Sequence, residues 1–473
     1  MSDSSPPRNT PDMPLADQIE KSYAGIGITS SHKYIMAMIL LGVFFDAIEQ
    51  NAVGITGPVV REYFGVGTAE IGFLNTITFS ATALGRIVTG LVADRFGRRT
   101  LLMINLIIFA VGSLLCAIAP TYGFLAAARA IVGFGLGGEI AVAVVMVAEH
   151  FAARHRGTAV GLVNVTAAGF GNMLAPAFGV LVFTLFPGPE RWRWVFALLF
   201  LPAVLVIYFR RYVPETPRFL ASMGRVDEAN TVITRLATGR LRGALTATEY
   251  IVALSSATID AHAHAPRGSW LDVLRGKYLP RTLLLCTAVA CSYAAQISML
   301  TLMPTILVAS GHEVNTSLWY TLVMQSGSLV GAGTAAFLAS RWPRKRTPTI
   351  AAVIGAAAGL SLAFSGGSIG LIILFGWFFN FAVIILNTTI WLFAPEHYPT
   401  RIRGFGTSII LAMGSLSGGL FPLITGAVFD AAGLAGMFGL LAGLFVVLGV
   451  VVQFPPETFG KPLEEENLDE VPA

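Results

Sequence analysis

Again and again this chain runs for about twenty residues with scarcely a charge, and each run is long enough to cross a ~30 Å hydrocarbon core as a helix. The runs lie near 34–60, 70–93, 100–119, 122–150, 157–186 and 191–212, and then near 280–310, 316–340, 347–365, 369–394, 402–429 and 434–454. Apolar residues make up 55% of the chain and charged residues 12%, where a soluble domain carries about a quarter charged. So much apolar surface has no place in water. An all-α membrane protein of twelve transmembrane helices is therefore expected.

Lysine and arginine placement orients it. Of 31 such residues, Arg61, Arg191 and Arg193 fall on one side and Arg86 and Arg129 within spans. All the rest fall in the two tails or the loops on the other side, so the positive-inside rule puts both termini in the cytoplasm, in the inner membrane of a bacterium. The formal charge of +4 follows from this bias and implies no nucleic-acid partner. Residues 1–33 are rich in Ser and Pro and lack a basic start followed by an apolar core, so they read as a disordered cytoplasmic tail and not a signal peptide. Cys116, Cys286 and Cys291 fall inside spans as small apolar fillers.

The chain also repeats itself. Glu149-His150-Phe151-Ala152-Ala153-Arg154-His155-Arg156-Gly157 returns as Glu396-His397-Tyr398-Pro399-Thr400-Arg401-Ile402-Arg403-Gly404. Asp94-Arg95 has a degraded echo in Ser340-Arg341, and Pro214-Glu215-Thr216 returns as Pro456-Glu457-Thr458. Three landmarks in one order at nearly one offset divide the chain into six-helix halves, 34–212 and 280–454. Parallel halves of this kind hold a substrate at their interface near the midplane and open alternately to each side. Between them, 213–279 reads as a polar cytoplasmic connector, with short amphipathic helices from Gly224 onward and at Trp270-Leu271-Asp272-Val273-Leu274. Residues 455–473 form a second tail.

Gly90-Leu91-Val92-Ala93-Asp94-Arg95-Phe96-Gly97-Arg98-Arg99 resembles the loop motif of the major facilitator superfamily. Pro214-Glu215-Thr216-Pro217-Arg218-Phe219-Leu220, Pro395-Glu396-His397-Tyr398-Pro399-Thr400 and the segment from Pro456 to Glu465 resemble signatures of its sugar-porter and organic-ion branch. The resemblance implies the two-half transporter fold and no cofactor, and a monomer is expected. Asp94, with Arg95, Arg98 and Arg99, is placed to pair with Glu149 and Arg156 across a cytoplasmic gate, which Glu396 and Arg403 extend in the second half. Gly90 and Gly97 belong to the same loop. Because Ser340 replaces the acid, the second-half network is expected to be weaker, with Arg341, Arg344 and Arg346 solvated. The plainer account of these arginines is the positive-inside bias alone, but that does not explain Asp94 or the duplicated glutamates.

Asp46 lies about twelve residues into the first span, which at ~1.5 Å per residue is near mid-bilayer. A carboxylate there costs several kcal/mol unless it faces a cavity or a partner. Glu49 and Gln50 share its face. Arg129, opening a glycine-rich stretch that ends at Glu139, is the expected partner of Asp46. The resemblance implies the same pairing, since proton-coupled sugar porters carry a matching acid and arginine. Asn164 and Trp391 stand where those porters carry a pocket glutamine and a pocket tryptophan. Asn172, Gln296, Gln325, Asn380 and Asn387 are further polar residues in spans, each placed either to line the cavity or to bond between helices. Glu139 has no counterpart in the sugar-porter pattern and is open between substrate contact and a structural role.

Departures narrow the substrate. The glutamine pair of a hexose carrier's seventh span is missing from Ala290-Cys291-Ser292-Tyr293-Ala294-Ala295-Gln296, and Gly414 stands where another glutamine is expected. A hexose site must satisfy every buried hydroxyl, so an organic acid, an amine or a similar small metabolite fits better. The reading is a proton-coupled symporter. A sugar carrier, coupled or passive, is the alternative, and a non-transporting sensor of the same fold is a third. Three acids, Asp46, Glu49 and Glu139, against one buried base, Arg129, place a cation or neutral amine slightly ahead of an anion. An enzyme has no support: His262 and His264 sit in a polar loop without acids, and no glycine loop precedes a lysine.

Overall fold

The computed structural model describes residues 15–210, 212–241, 273, 275–276, 278–339, 341–398 and 400–458. Every regular element among them is helical, as it must be where lipid offers the backbone no hydrogen-bond partner. The first half comprises α2 (Ser30–Phe64), α3 (Thr68–Phe96), α4 (Arg98–Ala117), α5 (Tyr122–His150), α6 (Ala153–Asn164) running through a π-helical turn (Val165–Gly171) into α7 (Asn172–Leu185), and α8 (Arg191–Arg210). The second comprises α11 (Tyr278–Ala309), α12 (Val314–Ala339), α13 (Arg346–Ala363), α14 (Ile369–Phe393) and α15 (Thr400–Val451).

Ten helical stretches among the described residues are long and apolar enough to cross a membrane. The last of them, in α15, is broken at Gly433, whose φ of 63° and ψ of −158° no helix accommodates. Arg191–Arg210 adds a further helix of 20 residues. Divided in this way, helical residues lie within each of the expected spans among the described residues. Large apolar side chains such as Leu84, Leu181 and Val353 point outward, where acyl chains solvate them.

The halves echo one another in their interruptions. Pro58 inside α2 and Pro176 inside α7 correspond to Pro304 in α11 and Pro422 in α15. Each proline removes a backbone bond from its helix, so the same helices of each half are weakened at the same depth. Helices α3 and α5 pack together within the first half, and α3 also lies along α15 of the second. Helix α2 meets α11, and α7 meets α12, so these helices enclose the space between the halves.

One expectation for the polar segments changes. Within the stretch read as a disordered tail, Leu15–Ala24 forms α1, with Ile19 and Tyr23 each 1% exposed. The amphipathic spacing of Leu15, Ile19 and Tyr23 was hidden by the prolines before it. Burial also pushes the Tyr23 hydroxyl well above its usual titration range. In the connector, α9 (Pro217–Ser222) and α10 (Val226–Thr238) form and pack on each other. The patch at Trp270–Leu274, except for Val273, and His262 and His264 lie outside the described residues.

Candidate functional site

Three of the buried acids have distinct settings. Arg129 pairs with Glu49, not with Asp46, and both side chains are fully buried. Ser113 Oγ donates to the other Glu49 oxygen at 3.1 Å, and Arg129 Nε donates to Thr78 Oγ1 at 3.2 Å. The exchange of partners has a geometric cause. Helices α2 and α5 run in opposite directions, so the residue further along α2 meets the residue earlier in α5. Glu49, one turn beyond Asp46, therefore reaches Arg129, and Asp46 lies level with Glu139.

Glu139 is paired in turn. Arg210 Nη2 donates to Glu139 Oε1 at 2.5 Å, with exposures of 2% and 0%. Arg210, the last residue of α8, was counted among the loop arginines, so the count of one buried base is corrected to two. Its entry depends on Gly42, one turn before Asp46 on α2, since a Cβ there would collide with the guanidinium. Asp46 is left over. It is 1% exposed and among the described residues forms no ion pair, and its carboxyl group faces that of Glu139, whose second oxygen Arg210 does not take. Its charged neighbours are Glu139, Arg210 and Glu49.

Beside this cluster lies a cavity of about 100 Å³ between the halves, small against the roughly 300–1,000 Å³ of sites for drug-sized ligands. Of the expected pocket residues, Gln50, Asn164, Asn172, Gln296, Asn387 and Trp391 line it. Glu49 and Glu139 do not, and neither do Gln325 and Asn380, which bond within their own helices to Ser328 and to the Gly376 carbonyl. The π-helical turn widens the helix between Asn164 and Asn172 and turns Ala167 and Ala168 to the cavity as well, a common use of such turns. Asn387 accepts from Ser292 Oγ at 2.6 Å and donates to Gln296, while Trp391 Nε1 donates to the Tyr293 hydroxyl at 3.0 Å. Asn164 reaches across the halves to Thr388 Oγ1 at 2.9 Å. Tyr293 and Arg86 were not anticipated as lining residues. Arg86 is the one charged side chain on this wall among the described residues.

On the arginine-rich face the repeat becomes a repeated geometry. Glu215 accepts from the backbone N–H groups of Arg98 and Arg99 at the start of α4, where the helix dipole favours an anion. Gly97, at φ 85°, leaves room that a Cβ would deny to this carboxylate. Glu457 does the same for Arg344 and Lys345, at 2.8 and 3.0 Å. Arg98 Nη2 stands 3.7 Å from Glu149, and Arg344 Nη2 stands 2.9 Å from Glu396. The second-half pair is thus the closer of the two, and Arg344 is not merely solvated. It needs no acid at 340 because Glu396, which also accepts from the Thr458 hydroxyl, reaches it from a neighbouring segment. Arg156 does not meet Glu149 within the ion-pair distance. Its partner is Glu20 of α1 at 2.9 Å, which Arg218 shares at 2.8 Å. Arg95 and Gly90 are exposed, and the side chains of Asp94 and Arg403 lie outside the described residues.

Two halves of transmembrane helices around a cavity lined by uncharged amides, aromatic side chains and one arginine are the architecture of a membrane transporter. The Major Facilitator Superfamily model matches residues 39–422, and the chain belongs to that family. It is a multi-pass membrane transporter and not an enzyme. It is 30% identical to the niacin transporter NiaP of Acinetobacter baylyi over 96% of this chain and 100% of that protein. It is 27% identical to a probable 4-methylmuconolactone transporter of Cupriavidus pinatubonensis, over 91% and 92% of the two chains. Among solved structures, the xylose transporter XylE from E. coli, in a partially occluded inward open conformation, superposes with a TM-score of 0.71 at 19% identity, covering 91% of this chain and 99% of that one. That likeness concerns the fold.

Proposed function

We propose that this protein is a proton-coupled symporter of a small organic acid, working by alternating access in the bacterial inner membrane with both termini in the cytoplasm. The observation that carries the coupling is Asp46, buried beside the cavity residues Ala47 and Gln50 with no ion-pair partner among the described residues and with its carboxyl group against that of Glu139. A bare carboxylate at that depth costs several kcal/mol and a carboxylic acid far less. Closing the cavity over Asp46 therefore goes with a proton on it, and opening it to water lets the proton leave. Glu49 and Glu139 already hold Arg129 and Arg210, which leaves Asp46 as the carrier and the two ion pairs as its framework.

The substrate class rests on the cavity wall and on the relatives. The acids assigned to Arg129 and Arg210 do not reach the wall, so it carries no excess of negative charge to attract a cation. The preference for an amine gives way to an anion. The relatives named for niacin and for 4-methylmuconolactone transport point the same way. The arginine-rich face is the cytoplasmic gate, closed by Arg98 with Glu149 and by Arg344 with Glu396.

Proteoliposomes test the reading. With an inward proton gradient, nicotinate or benzoate accumulates above its external concentration, and the accumulation collapses with a protonophore. Accumulation indifferent to the gradient would remove the coupling, and no uptake of any organic acid in a broad panel would remove the substrate class.

A further inference from the structure

We propose that Arg86 is the residue that binds the carboxylate of the transported acid, an assignment that rests on the organic-acid reading above. Arg86 sits inside α3, eight residues before the acid of the loop motif, on the wall of the cavity. A guanidinium carries five N–H donors. Among the described residues this one makes a single hydrogen bond, from Nη1 to the Leu411 carbonyl of α15 at 2.9 Å. The two buried arginines of the first half have acids of their own, Glu49 for Arg129 and Glu139 for Arg210. Arg86 has none among the described residues, although an unpaired charge within a span is costly and is ordinarily matched by a partner or put to use.

An anion entering the same space would supply the missing charge. The planar guanidinium presents donors side by side, which suits the two oxygens of a carboxylate. Tyr293 and Trp391 stand on the same cavity, flat and joined by their own hydrogen bond, and offer a face for an unsaturated or aromatic ring. The uncharged amide of the same acid would find the ring contacts but leave Arg86 unpaired. The site therefore selects acid over amide.

The bond from Arg86 to Leu411 gives this binding a consequence for transport. Arg86 belongs to the first half and Leu411 to the second, so an anion held by Arg86 sits on the seam along which the halves move. A ligand that contacts both halves favours the state in which they are together.

The test uses the full chain in nanodiscs, with nicotinate and nicotinamide, then benzoate and benzamide, as probes. The parent is expected to bind each acid at least about tenfold more tightly than its amide. Arg86→Gln should abolish that preference, with the amides bound as before, and Arg86→Lys should retain part of it. On the parent itself, butanedione modification mapped by peptide mass should label Arg86, and the acid but not the amide should protect it. If Arg86→Gln keeps the acid preference, or the acid gives no protection, the assignment to Arg86 is wrong while the organic-acid reading stands. If the parent binds no acid of the broad panel, or binds acids and amides alike, the organic-acid reading falls and the assignment with it.

Discussion

Arg210 and Glu139 meet at 2.5 Å in the interior of the first half, in space that Gly42 leaves open. One helix end, one glycine-rich helix and one glycine thus share a single buried ion pair. Removing one partner strands a charge, which in protein interiors costs about 3–5 kcal/mol, whereas replacing both can be nearly neutral. Arg210→Met and Glu139→Gln are each expected to lower the unfolding temperature in detergent clearly, and the double variant to recover most of the loss. Additive losses in the double variant would mean that the two residues do not act as a pair.

Gly42→Leu gives an independent measure of the same space. A side chain there must displace the guanidinium, so the variant should lose stability to a similar degree in the parent and much less in an Arg210→Ala background. Equal losses in both backgrounds would place the clash elsewhere.

Asp46→Asn removes the proton site but keeps the shape of the side chain. Accumulation driven by a pH gradient should vanish while exchange of labelled for unlabelled substrate remains measurable. Glu49→Gln is expected to behave differently, since it strands Arg129 and should reduce both activities together. Undiminished accumulation by the Asp46→Asn protein would exclude it as the coupling residue.

The paired gates differ in closeness, and so should their loss. Each is partly exposed, with side-chain exposures of 14–19%, and each adds only about 1 kcal/mol or less as an ion pair. Glu396→Gln disrupts the closer contact with Arg344 and the Thr458 hydroxyl, so it should open the arginine-rich face to a cysteine reagent more than Glu149→Gln does. The labelling rate of a cysteine introduced in the cavity at Ala167 reports the difference, and the opposite order would refute it.

Helix α1 is held by Glu20 to Arg156 and Arg218, by Tyr23 donating to the Glu149 carbonyl at 3.0 Å, and by burial of Ile19. The partly exposed ion pairs contribute little, and the apolar contacts about 1.5–3 kcal/mol per side chain. Ile19→Asp should therefore undock α1 where Glu20→Gln does not. Hydrogen exchange across 15–24 checks it, with rapid exchange expected in the first variant only.

What the sequence determined by itself is everything that depends on local pattern. Apolar runs of membrane length decide the helices, and a repeat such as Glu149 to Arg156 against Glu396 to Arg403 decides the two halves, because neither inference needs to know which helices touch. It also located the acids that could not be idle, since burial of a charge is costly in any arrangement. Tertiary structure alone decided their partners. Asp46 and Glu49 lie one turn apart on one face, and only the antiparallel placement of α5 gives Arg129 to Glu49. Arg210 looked like one more loop arginine until the end of α8 was seen to point inward. Arg86 was visible within a span, but that it faces a cavity none of the neighbouring acids reaches is a property of several helices at once. Pairing of charges is a contact between distant parts of the chain, and the spacing of residues along one helix carries no record of it.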